Sequence, residues 1–380
     1  MRIVVLGYIV RGPLGGLVWH HLQYVLGLAR LGHDVTFVED SDDHPWSCYD
    51  PERHVTDTDP SHGLRVARDL FARVGLGERW TYHDAHRSRW HGPAADRAIE
   101  TCRSADVVVN LGGVNPLRPW LEDAPVRVLV DTDPVFTQIR HLQDDEARER
   151  AARHTDWLSF GEHVERLPDD GFRWRPTRQP VVLDLWRGTP PPADARFTTV
   201  MQWESYPSVE HDGRRYGMKS ASFLPYLDLP RRTGVFFELA LGTPDAPRAL
   251  LAEHGWALAN PLEVIRDAWD YQRYIRDSKG EFSVAKDGYA ASRCGWFSER
   301  SASYLASGRP VVTQDTGFSE LLPTGAGMLA FSTPDEAAAC VAEVEGSYEE
   351  HCRMARALAE DEFDSDAVLT RLLEEVLAPV

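Results

Sequence analysis

The sequence predicts an α/β protein built from two Rossmann-like halves that face a cleft, and three observations lead there. Runs of β-branched and other apolar residues alternate with helix-period segments along the whole chain, as a mostly parallel sheet flanked by helices requires. The 380 residues exceed what one hydrophobic core usually organises and suit two domains. The stretch from Pro168 to Pro192 is rich in Pro, Arg and Gly and carries little helical periodicity, which places a linker around residues 185–195. The reading divides the chain into residues 1–188, residues 189–360, and a final segment 361–380 whose helix crosses back onto the first half.

Residues 2–6 (RIVVL) are a β-branched run of the kind buried on both faces of a parallel sheet. Gly12, Gly15 and Gly16 then predict a tight turn. Leu22, Val25, Leu26 and Ala29 recur at helical spacing up to Gly32, and residues 34–38 (DVTFV) predict the next strand. Further strands are expected at 106–111, 126–130 and 157–160. The second series begins with residues 197–202 (FTTVMQ) and continues at 235–239, 256–259, 281–284 and 310–313, with a long helix over about Leu262 to Asp277. The segment from about 334 to 377 reads as charged, amphipathic helix.

Composition excludes several classes. A hydrophobic content of 43% with 26% charged residues is that of a globular chain. The formal charge of −18 argues against bulk attraction to nucleic acid or an anionic membrane surface, so no nucleic-acid partner and no stable membrane insertion are expected. Five cysteines stand far apart, with no C-x-x-C pair, which predicts reduced thiols and a cytoplasmic location. Met1 to Val10 runs into Arg11 and Gly12 without a small-residue cleavage site and reads as a strand. There is no P-loop, no H-E-x-x-H and no G-x-S-x-G. No metal site and no cofactor are expected.

The most informative segment is EFSVAKDGYAASRCGWFSERSASYLASGRPVVTQDTGFSE, residues 281–320. Within it SYLASGRPVVTQDTGFSE describes a helix ending at Gly308, a strand from Pro310 to Thr313, and a turn with Gly317 ahead of Glu320. This block resembles the donor-binding half of GT-B glycosyltransferases, where a helix closing in a small residue and glycine leads into a P-V-V strand and a T-x-G-x-x-E turn. The opening RGPLGG followed by G-H-D-V-T also resembles that fold. The resemblance implies two Rossmann-like domains, the first holding an acceptor and the second a nucleotide diphosphate sugar, with metal-independent hexosyl transfer. It departs from the retaining members, which carry glutamates where this chain has Ser303 and Gly295.

The residue chemistry points the same way. A diphosphate needs positive charge, and the helix start at Ser298, Glu299, Arg300 and Ser301 offers free backbone N–H groups and an arginine fork. Lysine occurs only at 219, 279 and 286. In many members of the resembled fold a basic residue just before a helix, after the first strand of the second half, contacts the diphosphate; Lys219 is similarly placed, and Lys286, which follows a strand, is expected in the same cleft. Gly15 and Gly16 would let backbone approach the donor. Asp315, Thr316, Gly317, Phe318 and Glu320 form the turn assigned to the donor by the resemblance. His20, on the first helix, and Asp131 and Asp133, at a strand end that should face the crevice, are the candidate bases. Trp46, Trp120, Trp186, Trp203 and Trp296 are candidates for an apolar acceptor wall.

The expected partners are a nucleotide sugar donor and a small-molecule or glycan acceptor, with a homodimer left open. The arginine-rich, lysine-poor composition fits a bacterial enzyme of secondary metabolism or envelope glycans. A sugar-nucleotide epimerase of the same fold and a non-catalytic sugar-nucleotide-binding protein are the rival readings. An NAD-dependent oxidoreductase is disfavoured, because the first loop lacks G-x-G-x-x-G.

Overall fold

The computed structural model describes residues 1–378. Two parallel sheets carry the architecture. The first has the strand order 174–176, 156–159, 126–131, 107–111, 2–6, 34–40, 80–84, 89–91. All its pairings are parallel except the last, where strand 89–91 runs antiparallel to 80–84. The second sheet has the order 257–259, 237–241, 197–201, 280–283, 311–314, 328–331, parallel throughout. In each sheet the strand order reverses beside the half's first strand, the doubly wound arrangement that puts a crevice at the carboxyl ends of the strands.

Burial explains why these segments are strands. Ile3, Val4, Val5 and Leu6 are each at most 1% exposed, because strands 34–40 and 107–111 pair on either side and helices cover both faces. Each such side chain contributes roughly 1.5–3 kcal/mol on burial, so a charge at Val5 would break the sheet.

The helix expected over 262–277 is two helices, Pro261–Val264 and Ala268–Asp277. Asp267 stops the first from continuing: its carboxylate accepts from the N–H groups of Trp269 and Asp270 as an N-cap. The tail is three helices, Pro334–Gly346, Tyr348–Glu362 and Ser365–Leu377. The middle one packs on helix Glu299–Ala306 and the last on the first helix, Gly15–Arg30. Gly27 makes that second contact close, since a Cβ there would stand 2.4 Å from Leu369. The chain thus passes between the halves twice, and the two passages lie side by side. Val181 N–H donates to Phe363 O at 2.7 Å and Ser365 N–H to Val181 O at 2.9 Å.

Candidate active site in the cleft

The carboxyl ends of both sheets face one pocket of about 690 Å³. From the first half it is walled by Gly15, Gly16, His20, Tyr49, Thr132 and Asp133. The second half supplies Gln202, Lys219, Lys286, Trp296 and the helix start at Ser298, Glu299 and Arg300, among others.

Two helix N-termini meet there. The first helix begins at Gly15 after Leu14, which gives no side-chain cap, so its first N–H groups remain open to a ligand. Its entry loop is fixed from behind by Glu39, whose carboxylate accepts from the N–H groups of Ile9, Val10 and Arg11 at 2.7 Å each. Glu39 is the penultimate residue of the strand 34–40 and was not singled out from the sequence; its only signal there is an acidic residue near the end of a buried strand. Gly15 has a further reason to be glycine. A Cβ would lie 2.7 Å from both Asp267 O and Tyr271 Cβ, so its absence lets the halves touch. The second N-terminus belongs to helix Glu299–Ala306, where Ser298 Oγ accepts from Arg300 N–H.

The cationic groups differ in what holds them. Arg300 does not offer its guanidinium freely: it is bound by Glu281, by Ser283 Oγ at 2.7 Å and by Val200 O at 2.9 Å. The arginine is a charged floor beneath the pocket. Lys219 has no ion pair among the described residues, and burial holds its ammonium well below the usual lysine value, with the Arg300 charge lowering it further and Glu281 opposing. Lys286 Nζ lies 2.8 Å from Asp133 Oδ1 and 2.8 Å from Tyr206 Oη. Tyr206 and Tyr289 both donate to the Asp133 carboxylate, and the rings of Phe136, Tyr206 and Tyr289 surround the ammonium. Val135, fully buried at φ 72°, strains the turn that presents Asp133. A β-branched residue holds that conformation only where its surroundings impose it.

His20 lines the pocket, and burial lowers its imidazole to about 4, so the ring is neutral at pH 7.

Several expected residues lie elsewhere. Asp131 does not line the cleft pocket. It is buried, accepting from Thr137, Gln138, Ser159 and the N–H of Asp133, and it holds the strand end together. Ser301 Oγ is buried. Asp315 accepts from Gly317 N–H and Ser319 and pairs with Arg293, Thr316 donates to Trp296 O, and Phe318 packs on Phe297. Gly317, at φ 96°, would put a Cβ 2.5 Å from Arg293 O. Glu320 pairs with Arg166 of the first half and Arg293 of the second, and these guanidinium groups lower its carboxyl to about 2. None of these five turn residues lines the cleft pocket. The turn joins the halves instead. Of the five tryptophans, Trp296 alone lines the pocket, stacked on Tyr289. Trp186 and Trp203 are core, Trp120 packs on Trp90, and Trp46 is exposed.

One cluster with metal-capable atoms within 4.8 Å of one another occurs among the described residues, Asp50, Glu52 and His62. It does not line the pocket. Among the described residues no helix is long and apolar enough to cross a membrane.

No protein-family model matches the chain, and no curated protein sequence matches it. Solved structures do. An alpha-glucosyltransferase held with UDP and a 13-mer DNA containing an HMU base is similar with TM-score 0.59 at 10% identity, covering 100% of both chains. HepE from Anabaena, in complex with UDP and glucose, is similar with TM-score 0.57 at 12% identity, covering 99% of each chain. AviGT4, a glycosyltransferase involved in Avilamycin A biosynthesis, is similar with TM-score 0.53 at 13% identity, covering 98% of this chain and 96% of that one. The first of these corrects the expectation of no nucleic-acid partner. A protein of the same architecture is held with DNA, so a nucleic-acid substrate is plausible for this fold. With two doubly wound sheets facing one cleft, matched to these neighbours over nearly its whole length, the chain has the GT-B fold of glycosyltransferases.

Proposed function

We propose that the protein transfers a sugar from a nucleotide diphosphate sugar to a polar acceptor, with the diphosphate held by the chain's own groups rather than by a metal ion. The observation that carries this is the convergence of two helix N-termini with Lys219 and Lys286 on a single pocket between the halves. Solved structures of this fold that contain UDP, or UDP and glucose, support it. In the reaction the bond from the anomeric carbon to the diphosphate breaks as the bond to the acceptor oxygen forms. The leaving diphosphate keeps the electron pair beside Lys219, and neutral His20 takes the acceptor proton. The absence of a carboxylate at Gly295 and Ser303 favours a histidine base over the retaining pattern.

A thermal-shift panel of UDP, TDP, GDP and ADP, each with and without a chelator, tests the donor half of the reading. No response to any of them would reject it, and a response abolished by chelator would reject metal independence. The donor incubated alone should come back unchanged; an epimerised donor would support the rival reaction. The acceptor panel includes DNA beside small glycans.

A further inference from the structure

A second crevice, of about 730 Å³, lies in the first half. It opens at the carboxyl ends of strands 107–111 and 126–131, between the loop 112–119 and the helices Phe136–Gln143 and Asp145–Ala152. Much of its charge is paired within its own wall. Arg150 binds Asp42 through two nitrogens, Arg118 pairs with Asp40 and Asp43, and Arg153 lies 3.5 Å from Glu122.

Two groups are left over. Arg140 has no ion pair and no side-chain hydrogen bond among the described residues, although it lines the crevice. His141, 6% exposed, also lines it. Its Nδ1 is 2.7 Å from Asp170 Oδ2, and Asp170 is itself fixed by Trp174 Nε1 at 3.0 Å and Phe172 N–H at 3.2 Å. A carboxylate only accepts, so Nδ1 carries the hydrogen and Nε2 is the free nitrogen. Nε2 has no partner among the described residues. A staple between helix and loop needs the Nδ1 contact alone. An unpartnered Nε2 and an unpaired guanidinium, on neighbouring residues that both line the crevice, do not follow from stapling.

We propose that this crevice binds the phosphate group of a small phosphorylated molecule, held by the Arg140 guanidinium and by His141 Nε2. That this molecule is the sugar acceptor rests on the transferase reading; the phosphate site itself does not. The guanidinium fork matches two phosphate oxygens. The imidazole either accepts from a P–OH or, once protonated, donates to a P–O⁻. The same crevice carries Asp43, Asp144, Glu146 and Glu149, which repel a long polyanion and favour a single compact phosphate over a nucleic-acid strand.

The test follows the imidazole C–H resonances of the full chain, with the His141 signal assigned by its loss in His141→Gln. Inorganic phosphate and glycerol 3-phosphate are titrated in separate samples. The expected result is a saturable shift of the His141 signal whose midpoint moves to about tenfold higher concentration or more in Arg140→Gln, an exposed site where the substitution leaves the fold intact. No saturable shift, or an unchanged midpoint in Arg140→Gln, overturns the proposal. So does a response to short single-stranded DNA in the absence of any response to phosphate. UDP is added to parallel samples and its effect on melting temperature is read separately. A missing UDP response would reject the transferase reading and leave the crevice result standing.

Discussion

Lys286 of the second half and Asp133 of the first form an ion pair of 2.8 Å across the cleft, and the two tyrosines that donate to Asp133 also come from the second half. On the proposed reading, a donor diphosphate entering the pocket would compete with Asp133 for that ammonium. The pair is partly exposed and therefore modest in strength. Asp133→Asn should tighten UDP about two- to fivefold, as read by calorimetry. Weaker binding in the variant would show that the pair holds Lys286 in place for the phosphate instead of withholding it.

Lys219 should be needed for the diphosphate and costly without it. Lys219→Met is expected to weaken UDP about 10- to 100-fold, the loss typical of a charged hydrogen bond, while uridine binding changes little. The free protein should become more stable, because burial lowers the lysine below its unfolded value and the methionine removes that penalty. Each kcal/mol recovered raises the melting temperature by about 2–4 °C. Equal losses for UDP and uridine would place the lysine away from the phosphates.

The histidines predict acid sensitivity with a defined sign. Burial lowers His20 to about 4, His21 to about 3 and His154 to about 4, each from the ordinary imidazole value of 6.5. Between those values and 6.5 the unfolded chain binds more protons than the folded one, so stability falls as pH drops from 6.5 toward 4. Melting temperatures measured across that range should fall, and His20→Gln should flatten the slope. An unchanged slope would mean that His20 titrates normally.

His20→Ala should lower kcat by about 10²- to 10⁴-fold on the acceptor, the usual contribution of a positioned base, with UDP affinity nearly unchanged. Near wild-type turnover would remove His20 from the reaction.

Asp131→Asn should act on stability. Its carboxylate accepts from four donors at the end of strand 126–131, and an amide nitrogen turned toward any of them leaves a buried donor unsatisfied. A loss of about 1–3 kcal/mol is expected in denaturant unfolding, with UDP binding retained in the folded protein.

The architecture was legible because it rests on local pattern. RIVVL and FTTVM are buried on both faces and announce themselves as runs rich in β-branched residues. Strands 80–84 and 174–176 were not read. WTYHD and WRP mix polar and aromatic residues in place of an apolar run; the first is buried throughout and the second only at Trp174. In the cleft, Lys219, Lys286 and the start at Ser298 were readable from lysine scarcity and cap chemistry. The occupation of Arg300 by Glu281 was not, since it joins a residue in the first turn of helix Glu299–Ala306 to one on strand 280–283. The turn 315–320 shows the same limit. Its glycine spacing is local, but the partners Arg166 and His163 that claim its carboxylate come from the other half.

The two side-by-side passages at Val181 and Phe363 to Ser365 give the molecule a single pivot. Opening the cleft is then a swing about one axis, with helix Ser365–Leu377 travelling with the first half as a counterweight on its far face. The ties across the cleft include the charge pairs Lys286 to Asp133 and Arg166 to Glu320, beside aromatic contacts of Phe136 with Tyr206 and Tyr289 and of Trp19 with Trp269. Salt in the medium weakens partly exposed charge pairs, so ionic strength becomes a dial on how widely the two halves gape. Small-angle scattering would register it as a larger radius of gyration at high salt, reversed when a diphosphate bridges the gap.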